Sequence, residues 1–167
     1  QYMAEISDMS MGLLIIVDSR SVLVKDIICP VIQVHHSEDI RVEDLWLRDL
    51  RGGIYIIGVR NFLAENITFM NLSKGLDLEG VENATIRDCM FVNCSTALVM
   101  GWDFSSSYIV VENCIFVNNT EAIYLDARVV KIVNNEFINN SELAYIFYEG
   151  SALTFERNMF ESNENGL

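Results

Sequence analysis

Residues 66–73 read NITFMNLS, residues 88–95 read DCMFVNCS, residues 113–120 read NCIFVNNT and residues 134–141 read NNEFINNS. All four segments have phenylalanine at their fourth position and asparagine at their sixth, and weaker copies begin at Asp44 and Arg157. Self-similarity at a period of about 20–50 residues is the sequence signature of a repeat protein. The fourth-position residues recur at intervals of 22, 22, 25, 21 and 23 residues; they are Leu47, Phe69, Phe91, Phe116, Phe137 and Phe160.

Each repeat has room for three short strands and three turns. Alternating runs such as Ile54–Ile57 and Thr85–Arg87 precede the phenylalanine segment, and such period-2 runs are typical of strands. Gly, Asn, Asp and Ser, which favour turns, lie between the runs. We therefore expect an all-β parallel solenoid of about seven coils at residues 15–167, preceded by an N-terminal cap or extension at residues 1–14. The expected coils are 15–31, 32–53, 54–75, 76–97, 98–122, 123–143 and 144–166.

The repeated columns resemble those of the right-handed parallel β-helices of the pectin-lyase-like superfamily. The resemblance rests on the aligned phenylalanines and asparagines and covers about residues 15–167. It implies a right-handed coil with ladders of phenylalanine and asparagine inside the tube. The asparagines expected to stack are Asn71, Asn93, Asn118 and Asn139.

Composition restricts the partners of the chain. Its 167 residues have a formal net charge of −13, which argues against binding to the phosphates of a nucleic acid or to an anionic membrane. The sequence has no run of about 18 apolar residues, so no membrane insertion is expected. The four cysteines lack the paired spacing of a zinc site. Cys89 and Cys114 occupy one column of neighbouring coils, which is compatible with either a disulfide bond or two buried free thiols.

The outward positions of the first strand in each coil form the candidate site. They include Tyr55, Asp77, Glu79, Tyr124 and Asp126, and the insertion at residues 101–107 adds Trp102 and Asp103. In enzymes that the chain resembles, such a face binds acidic polysaccharides through aromatic rings, carboxylates and calcium. The binding candidates are therefore Tyr55, Asp77, Glu79, Trp102, Asp103, Tyr124 and Asp126.

Three of these carboxylates are catalytic candidates, namely Asp77, Glu79 and Asp126. Glu79 and Asp126 lie two coils apart in one column, which corresponds to about 9–10 Å between backbones. That spacing is near the upper limit for the two carboxyl groups of an inverting glycoside hydrolase. The same three carboxylates are hard oxygen ligands that could bind Ca²⁺. A solvated acidic surface is the simpler explanation of these carboxylates and is favoured over a Ca²⁺ site, and no other cofactor is expected.

Six asparagines stand in N-x-S/T sequons, the acceptor motif for N-glycosylation. Four of them are the expected internal stack, where a buried amide could not carry a glycan. Asn83 is expected in a turn and is the glycosylation candidate. The six are Asn66, Asn71, Asn83, Asn93, Asn118 and Asn139.

Two functions remain open at this stage. The first is a non-enzymatic structural or adhesive solenoid of a cell or virion surface, which stacks end to end or forms part of a longer solenoid. The exposed edge of a terminal coil would favour such pairing. The second is a β-helix module that binds or cleaves polysaccharide through the candidate face. An extracellular or cell-surface location is expected for both functions.

Overall fold

A computed structural model describes residues 4–49, 52–101, 106–146 and 152–165. Over these ranges the chain forms nineteen strands and no helix, so none of the described segments is a helix suited to crossing a bilayer. The strands are β1 (Ala4–Ile6), β2 (Leu14–Val17), β3 (Arg20–Lys25), β4 (Ile32–His35), β5 (Glu38–Arg48), β6 (Ile54–Ile57), β7 (Arg60–Met70), β8 (Lys74–Glu79), β9 (Glu82–Arg87), β10 (Met90–Val92), β11 (Thr96–Met100), β12 (Ser107–Glu112), β13 (Ile115–Val117), β14 (Glu121–Leu125), β15 (Val129–Val133), β16 (Glu136–Ile138), β17 (Glu142–Ile146), β18 (Ala152–Glu156) and β19 (Met159–Glu161).

The strands form two parallel sheets that wind around one core. The first sheet has the order β17-β14-β11-β8-β6-β4-β2, in which every neighbour comes from the adjacent coil. The second sheet contains the remaining twelve strands. The predicted parallel β-solenoid of about seven coils is therefore confirmed, and its coils are built mainly from three short strands.

Two coils depart from the three-strand pattern. The second and third strands of these coils join into the eleven-residue strands β5 and β7. Each long strand contains two residues in the left-handed region, one near its start and one at the corner: Asp39 at φ 55° and Asp44 at φ 56° in β5, and Asn61 at φ 60° and Asn66 at φ 52° in β7. Asn and Asp tolerate that region better than other non-glycine residues. In these two coils the strand pairing therefore continues around the corner, whereas in the later coils the second and third strands are separate.

The parallel ladder also reaches into the first fourteen residues. β1 pairs with β3 in parallel, with Ala4 opposite Val22, and Ser10 bridges to Ile28. The stretch that the sequence set apart as a cap or extension thus contains backbone that stacks on the coil after it.

Asparagine and aspartate recur in the repeat because they make the turns on either side of the third strand. Both recurrent polar columns adopt positive φ, between 52° and 56°. This conformation is costly for most side chains and least so for Asn, Asp and Gly. The first column is Asp44, Asn66, Asp88, Asn113, Asn134 and Arg157, and the second is Asp49, Asn71, Asn93, Asn118, Asn139 and Ser162.

The predicted phenylalanine ladder lies inside the tube. Phe91 stacks on Phe69 and on Phe116 with ring centroids 4.6 and 4.9 Å apart and interplanar angles of 2° and 5°. Phe137 continues the stack from Phe116 to Phe160 at 4.8 and 5.2 Å. Each parallel contact adds roughly 0.5–1.5 kcal/mol to the energy of burying the rings.

The predicted asparagine column does form coil-to-coil hydrogen bonds, such as that from Asn93 Nδ2 to Asn71 Oδ1 at 3.2 Å, but its expected position inside the tube was wrong. Asn71, Asn93, Asn118 and Asn139 are exposed at their turns, because a left-handed residue directs its side chain away from the core. The next residue in the chain points inward instead. The internal ladder is therefore formed by Asn119, Asn140 and Asn163, and a second one by Asn135 and Asn158.

Each buried amide joins three coils. Asn119 Nδ2 donates to Phe91 O of the preceding coil at 3.1 Å and to Asn140 Oδ1 of the following coil at 2.9 Å. Its Oδ1 accepts the backbone N–H of Cys94 at 2.9 Å. Asn135 makes the equivalent bonds to Val111 O, Asn158 Oδ1 and the N–H of Cys114.

Cysteines take the place of asparagine in the earlier coils. All four cysteines are buried free thiols, which agrees with the core interpretation. Cys94 Sγ lies 3.8 Å from Phe69 O, the carbonyl that corresponds to the one bound by Asn119 in the next coil. Burial raises the pKa of the Cys94 thiol, so the group stays protonated and acts as a weak donor.

We predict that Asn119→Ala lowers the free energy of unfolding by roughly 2–5 kcal/mol, since it leaves the buried Cys94 N–H and Phe91 O without partners. Urea unfolding followed by circular dichroism measures the change. Asn118→Gly is the matched control, because glycine accepts the positive φ of this exposed turn and should cost far less. Equal losses in the two variants would contradict the buried ladder.

Candidate functional site

The outer face of the first sheet carries the predicted site residues in the expected register. Tyr55 pairs with Asp77, Asp77 with Val99 and Val99 with Tyr124 on successive strands β6, β8, β11 and β14. Tyr55, Asp77 and Tyr124 are half-buried. Alternation along each strand places these side chains outward, while their sequence neighbours fill the core.

Asp77 is paired with a cation from its own strand. Its Oδ2 lies 2.8 Å from Lys74 Nζ, and its side chain is only 12% exposed. Lys74 and Asp77 both lie on β8, three residues apart. The carboxylate is therefore held by an ammonium group and largely withdrawn from solvent.

Asp126 occupies its expected position but does not face open solvent. Only 4% of this residue is exposed, and the outward Val99 is 2% exposed, so this part of the face is covered. Gly101 lies between Glu79 and Asp126 in the column and has φ +86°. A Cβ there would lie 2.0 Å from Asp126 O, and only glycine fits.

The predicted carboxylates therefore have three different surroundings. Glu79 is half-buried, Asp77 is paired with Lys74, and Asp126 is buried. No group of three or more His, Cys, Asp or Glu side chains that could hold a metal ion is found among the residues described. Trp102 and Asp103, the other binding candidates, lie outside the described residues.

A charge ladder on the second sheet was missed by the sequence reasoning. Glu65 Oε2 lies 2.7 Å from Arg41 Nη2, and its Oε1 lies 2.7 Å from Arg87 Nη2. Arg41 also pairs with Glu43 on its own strand. Glu65 and Arg87 stand 22 residues apart, one coil period, so this signal was present in the sequence.

A second charge ladder borders an open groove of about 760 Å³ above the turns that follow the first sheet. Arg20 pairs with Glu38 at 2.6 Å, and Arg60 lies between Glu38 and Glu82 at 3.4 and 3.5 Å. Cations and carboxylates alternate from coil to coil along this ladder, and each residue forms an ion pair with the residue of opposite charge in the neighbouring coil.

Two neighbouring strands of the first sheet, β14 and β17, each begin with a glutamate, and the parallel register places these two like charges next to each other. Glu121 pairs with Thr96 below and with Glu142 above in the parallel register. Burial raises the pKa of Glu121, the hydrogen bond from Thr96 Oγ1 at 3.2 Å lowers it, and the nearby Glu142 charge raises it further. The net direction is upward, so the charged form of Glu121 is disfavoured in the fold.

We predict that Glu121→Gln raises the free energy of unfolding at pH 7. A folded-state pKa above the ordinary 4.5 means that wild-type stability falls as the pH rises from that value through the raised pKa. The variant has no carboxyl group to ionise and does not lose this stability. Its higher free energy of unfolding relative to the wild type should therefore disappear at a pH below the ordinary pKa.

Urea unfolding at acid and neutral pH measures the difference. Glu136→Gln, at an exposed position of β16, is the control and should show no such pH-dependent gain. An advantage of Glu121→Gln that stays constant with pH would contradict the assignment.

All six sequon asparagines are exposed and have positive φ, between 52° and 58°. Asn83 lies within β9 rather than in the turn predicted from the sequence, with φ 58°. The prediction that four of the six are buried was wrong, namely Asn71, Asn93, Asn118 and Asn139. Burial was the reason for excluding these four as N-glycan acceptors, so that reason no longer holds.

Comparison with known proteins identifies the family of the coil. A family model described as "Right handed beta helix region" matches residues 30–167, which confirms the resemblance seen in the repeats. Neither the curated proteins nor the solved structures contain a match to this chain.

Proposed function

We propose that this chain, which belongs to the right-handed β-helix family, is a non-enzymatic structural or adhesive solenoid of an extracellular or cell surface. The observation that carries the proposal is that its sides are bonded from coil to coil, in the core by aromatic and amide ladders and outside by paired charges. Such a surface supports a stiff rod, because bending would break the bonds that join successive coils.

The outer bonds follow the corners of the coil as well as its faces. Asn66 Nδ2 donates to Asp44 Oδ1 at 2.7 Å, and Asn71 Nδ2 donates to Asp49 Oδ1 at 2.6 Å. Two of the corners between strands are thus held by exposed amides and the second sheet by its ion pairs. Exposed pairs are individually weak, but here they act together along one axis.

The carboxylates favour the same proposal. A general acid or base needs access to its substrate, whereas Asp77 is paired with Lys74 and Asp126 is buried. Among its described residues, the candidate face therefore offers Glu79 and the half-buried Tyr55 and Tyr124 to a ligand, which suits contact better than hydrolysis.

The last described coil presents a surface suited to further stacking. β17, β18 and β19 lie at the margins of their sheets, and Phe160 at the end of the ladder is 46% exposed, whereas Phe137 is 1% exposed. A parallel coil placed on this edge would bury that ring and extend the ladders. It would come from a second copy of the chain or from further coils of a longer protein.

Sedimentation velocity and electron microscopy at micromolar concentration test the stacking. We expect concentration-dependent rods that Phe160→Lys disperses, because the lysine would place a charge on the stacking edge. Met159→Lys is the matched control, since Met159 is 47% exposed but is directed outward. A monodisperse monomer at all concentrations would contradict assembly from copies of the chain.

A second candidate function is polysaccharide binding, which the column of Tyr55, Asp77 and Tyr124 favours. Tyrosine rings can stack on sugar rings, and Tyr55 and Tyr124 stand three strand spacings apart, about 14 Å. A net charge of −13 repels acidic glycans unless a cation such as Ca²⁺ bridges them.

Incubation with polygalacturonate and alginate, with and without Ca²⁺, separates the two functions. A binding module predicts affinity that Tyr55→Ala or Glu79→Gln weakens about tenfold and that Thr85→Ala, on the second sheet, leaves unchanged. A glycan-cleaving module predicts shorter products that Glu79→Gln abolishes. The structural proposal predicts neither binding nor cleavage.

A further inference from the structure

Four sequons form one straight column along an edge of the solenoid. Their asparagines are two residues after four consecutive ladder phenylalanines, and the paired strands β7, β10, β13 and β16 place them in register. We name this set the sequon column; it consists of Asn71, Asn93, Asn118 and Asn139.

The three residues of each sequon have the same arrangement in every coil. The asparagine is exposed with φ 54–55°, and the middle residue is buried in the core or its amide ladder. The Ser or Thr returns to the surface and is exposed in the first three coils and half-buried in the fourth. The hydroxyl residues are Ser73, Ser95, Thr120 and Ser141. Every acceptor amide is thus presented outside the tube on a turn that the core holds in place.

The coil-to-coil hydrogen bonds of the column are compatible with modification. Asn93 Nδ2 donates to Asn71 Oδ1 at 3.2 Å, which uses one of the two amide hydrogens. N-glycosylation replaces one hydrogen on Nδ2 and leaves the other, together with the carbonyl oxygen. A glycosylated asparagine can therefore keep its bond to the coil below.

An apolar surface lies directly beside the column. The outward residue before each sequon asparagine is apolar and half-buried. The adjoining outward column holds Thr68, Met90, Ile115 and Glu136 in the same four coils, and it adds apolar surface at Met90, which is 38% exposed, and at Ile115. Aligned apolar residues on an exposed sheet face are unusual for a soluble protein. The residues next to the column are Met70, Val92, Val117 and Ile138.

We propose that the sequon column is an N-glycan attachment edge whose first sugar residues cover this apolar surface. In the reaction, the amide Nδ2 attacks the anomeric carbon of a lipid-linked oligosaccharide. The N–C bond forms, the sugar–phosphate bond breaks, and the amide loses one proton while the lipid pyrophosphate leaves. The proposal goes beyond the structural function and does not depend on end-to-end stacking.

The test is secretion of the chain from a eukaryotic host, followed by glycopeptide and intact mass spectrometry of the folded, soluble fraction. We expect glycans on the sequon column and none on Asn113 or Asn134. These two are exposed turn asparagines with φ 55° but without a hydroxyl residue two positions later, so they are internal negative controls.

A second variant separates the glycans from the asparagines that carry them. The variant S73A/S95A/T120A/S141A removes all four acceptor motifs and leaves every asparagine in place. We expect it to fold, to lose the mass of the column glycans and to bind more of the dye ANS than the secreted wild type, because the apolar surface becomes uncovered.

Two results would overturn the proposal. One is folded wild-type protein that carries no glycan on the sequon column, whether or not Asn83 is modified. The other is a glycosylated wild type that binds as much ANS as the variant, since the glycans would then not cover the apolar surface.

Discussion

Parallel stacking in register at about 4.8 Å per coil is the constraint on which the rest of this structure depends. It places each side chain against the side chains at the equivalent positions of the coils before and after. A residue type is therefore tolerated at a position only if it packs well against a copy of itself or against the residue that replaces it in the neighbouring coil. Phenylalanine satisfies this rule through parallel rings, and asparagine through an amide that both donates and accepts. Charged residues of like sign do not. The series Glu38, Arg60 and Glu82 alternates in sign from coil to coil, and where Glu43 and Glu65 are paired in register, Arg41 bonds to both. Glu121 beneath Glu142 is an exception, and the charge of Glu142 adds to the effect of burial, which is the main reason that the pKa of Glu121 is raised.

The sequence was sufficient for the coil, the register and the phenylalanine ladder, because those follow from spacing alone. It was not sufficient for choosing between two adjacent asparagines, such as Asn118 and Asn119. Both recur with the coil period, and only the backbone distinguishes them: the first takes the left-handed turn and points out, and the second points in. The exposed column was visible in four repeats, whereas cysteine or leucine replaces the buried one in earlier coils, so the pattern favoured the wrong member.

For the candidate face, the sequence predicted the register of the outward residues correctly, but it did not predict which of their side chains are exposed. Strand alternation places Asp77 and Asp126 outward, but it does not say whether an outward side chain is paired or covered. Asp77 is paired with Lys74, which sits on the same strand and could have been noticed from the sequence. Val99 and Asp126 are outward in the alternation and yet buried, which periodicity does not predict. Carboxylate spacing along a column is therefore weak evidence for catalysis in a solenoid of this kind.

The internal amide ladders give the solenoid a direction. Each buried asparagine donates from Nδ2 to a carbonyl of the coil before it, and its Oδ1 accepts the backbone N–H of that same coil. In this part of the chain, a backbone N–H of each coil therefore donates to the asparagine Oδ1 of the next coil. The N–H of Cys94 donates to Asn119, that of Asn119 to Asn140, and that of Asn140 to Asn163. By the same pattern, a coil placed after the last described one would offer an oxygen to the backbone N–H groups of Asn158 and Asn163. Under the proposed stacking, the polar spine would favour addition at this edge by a coil with asparagine in the same columns, so hydrogen bonding would select the partner as well as apolar burial.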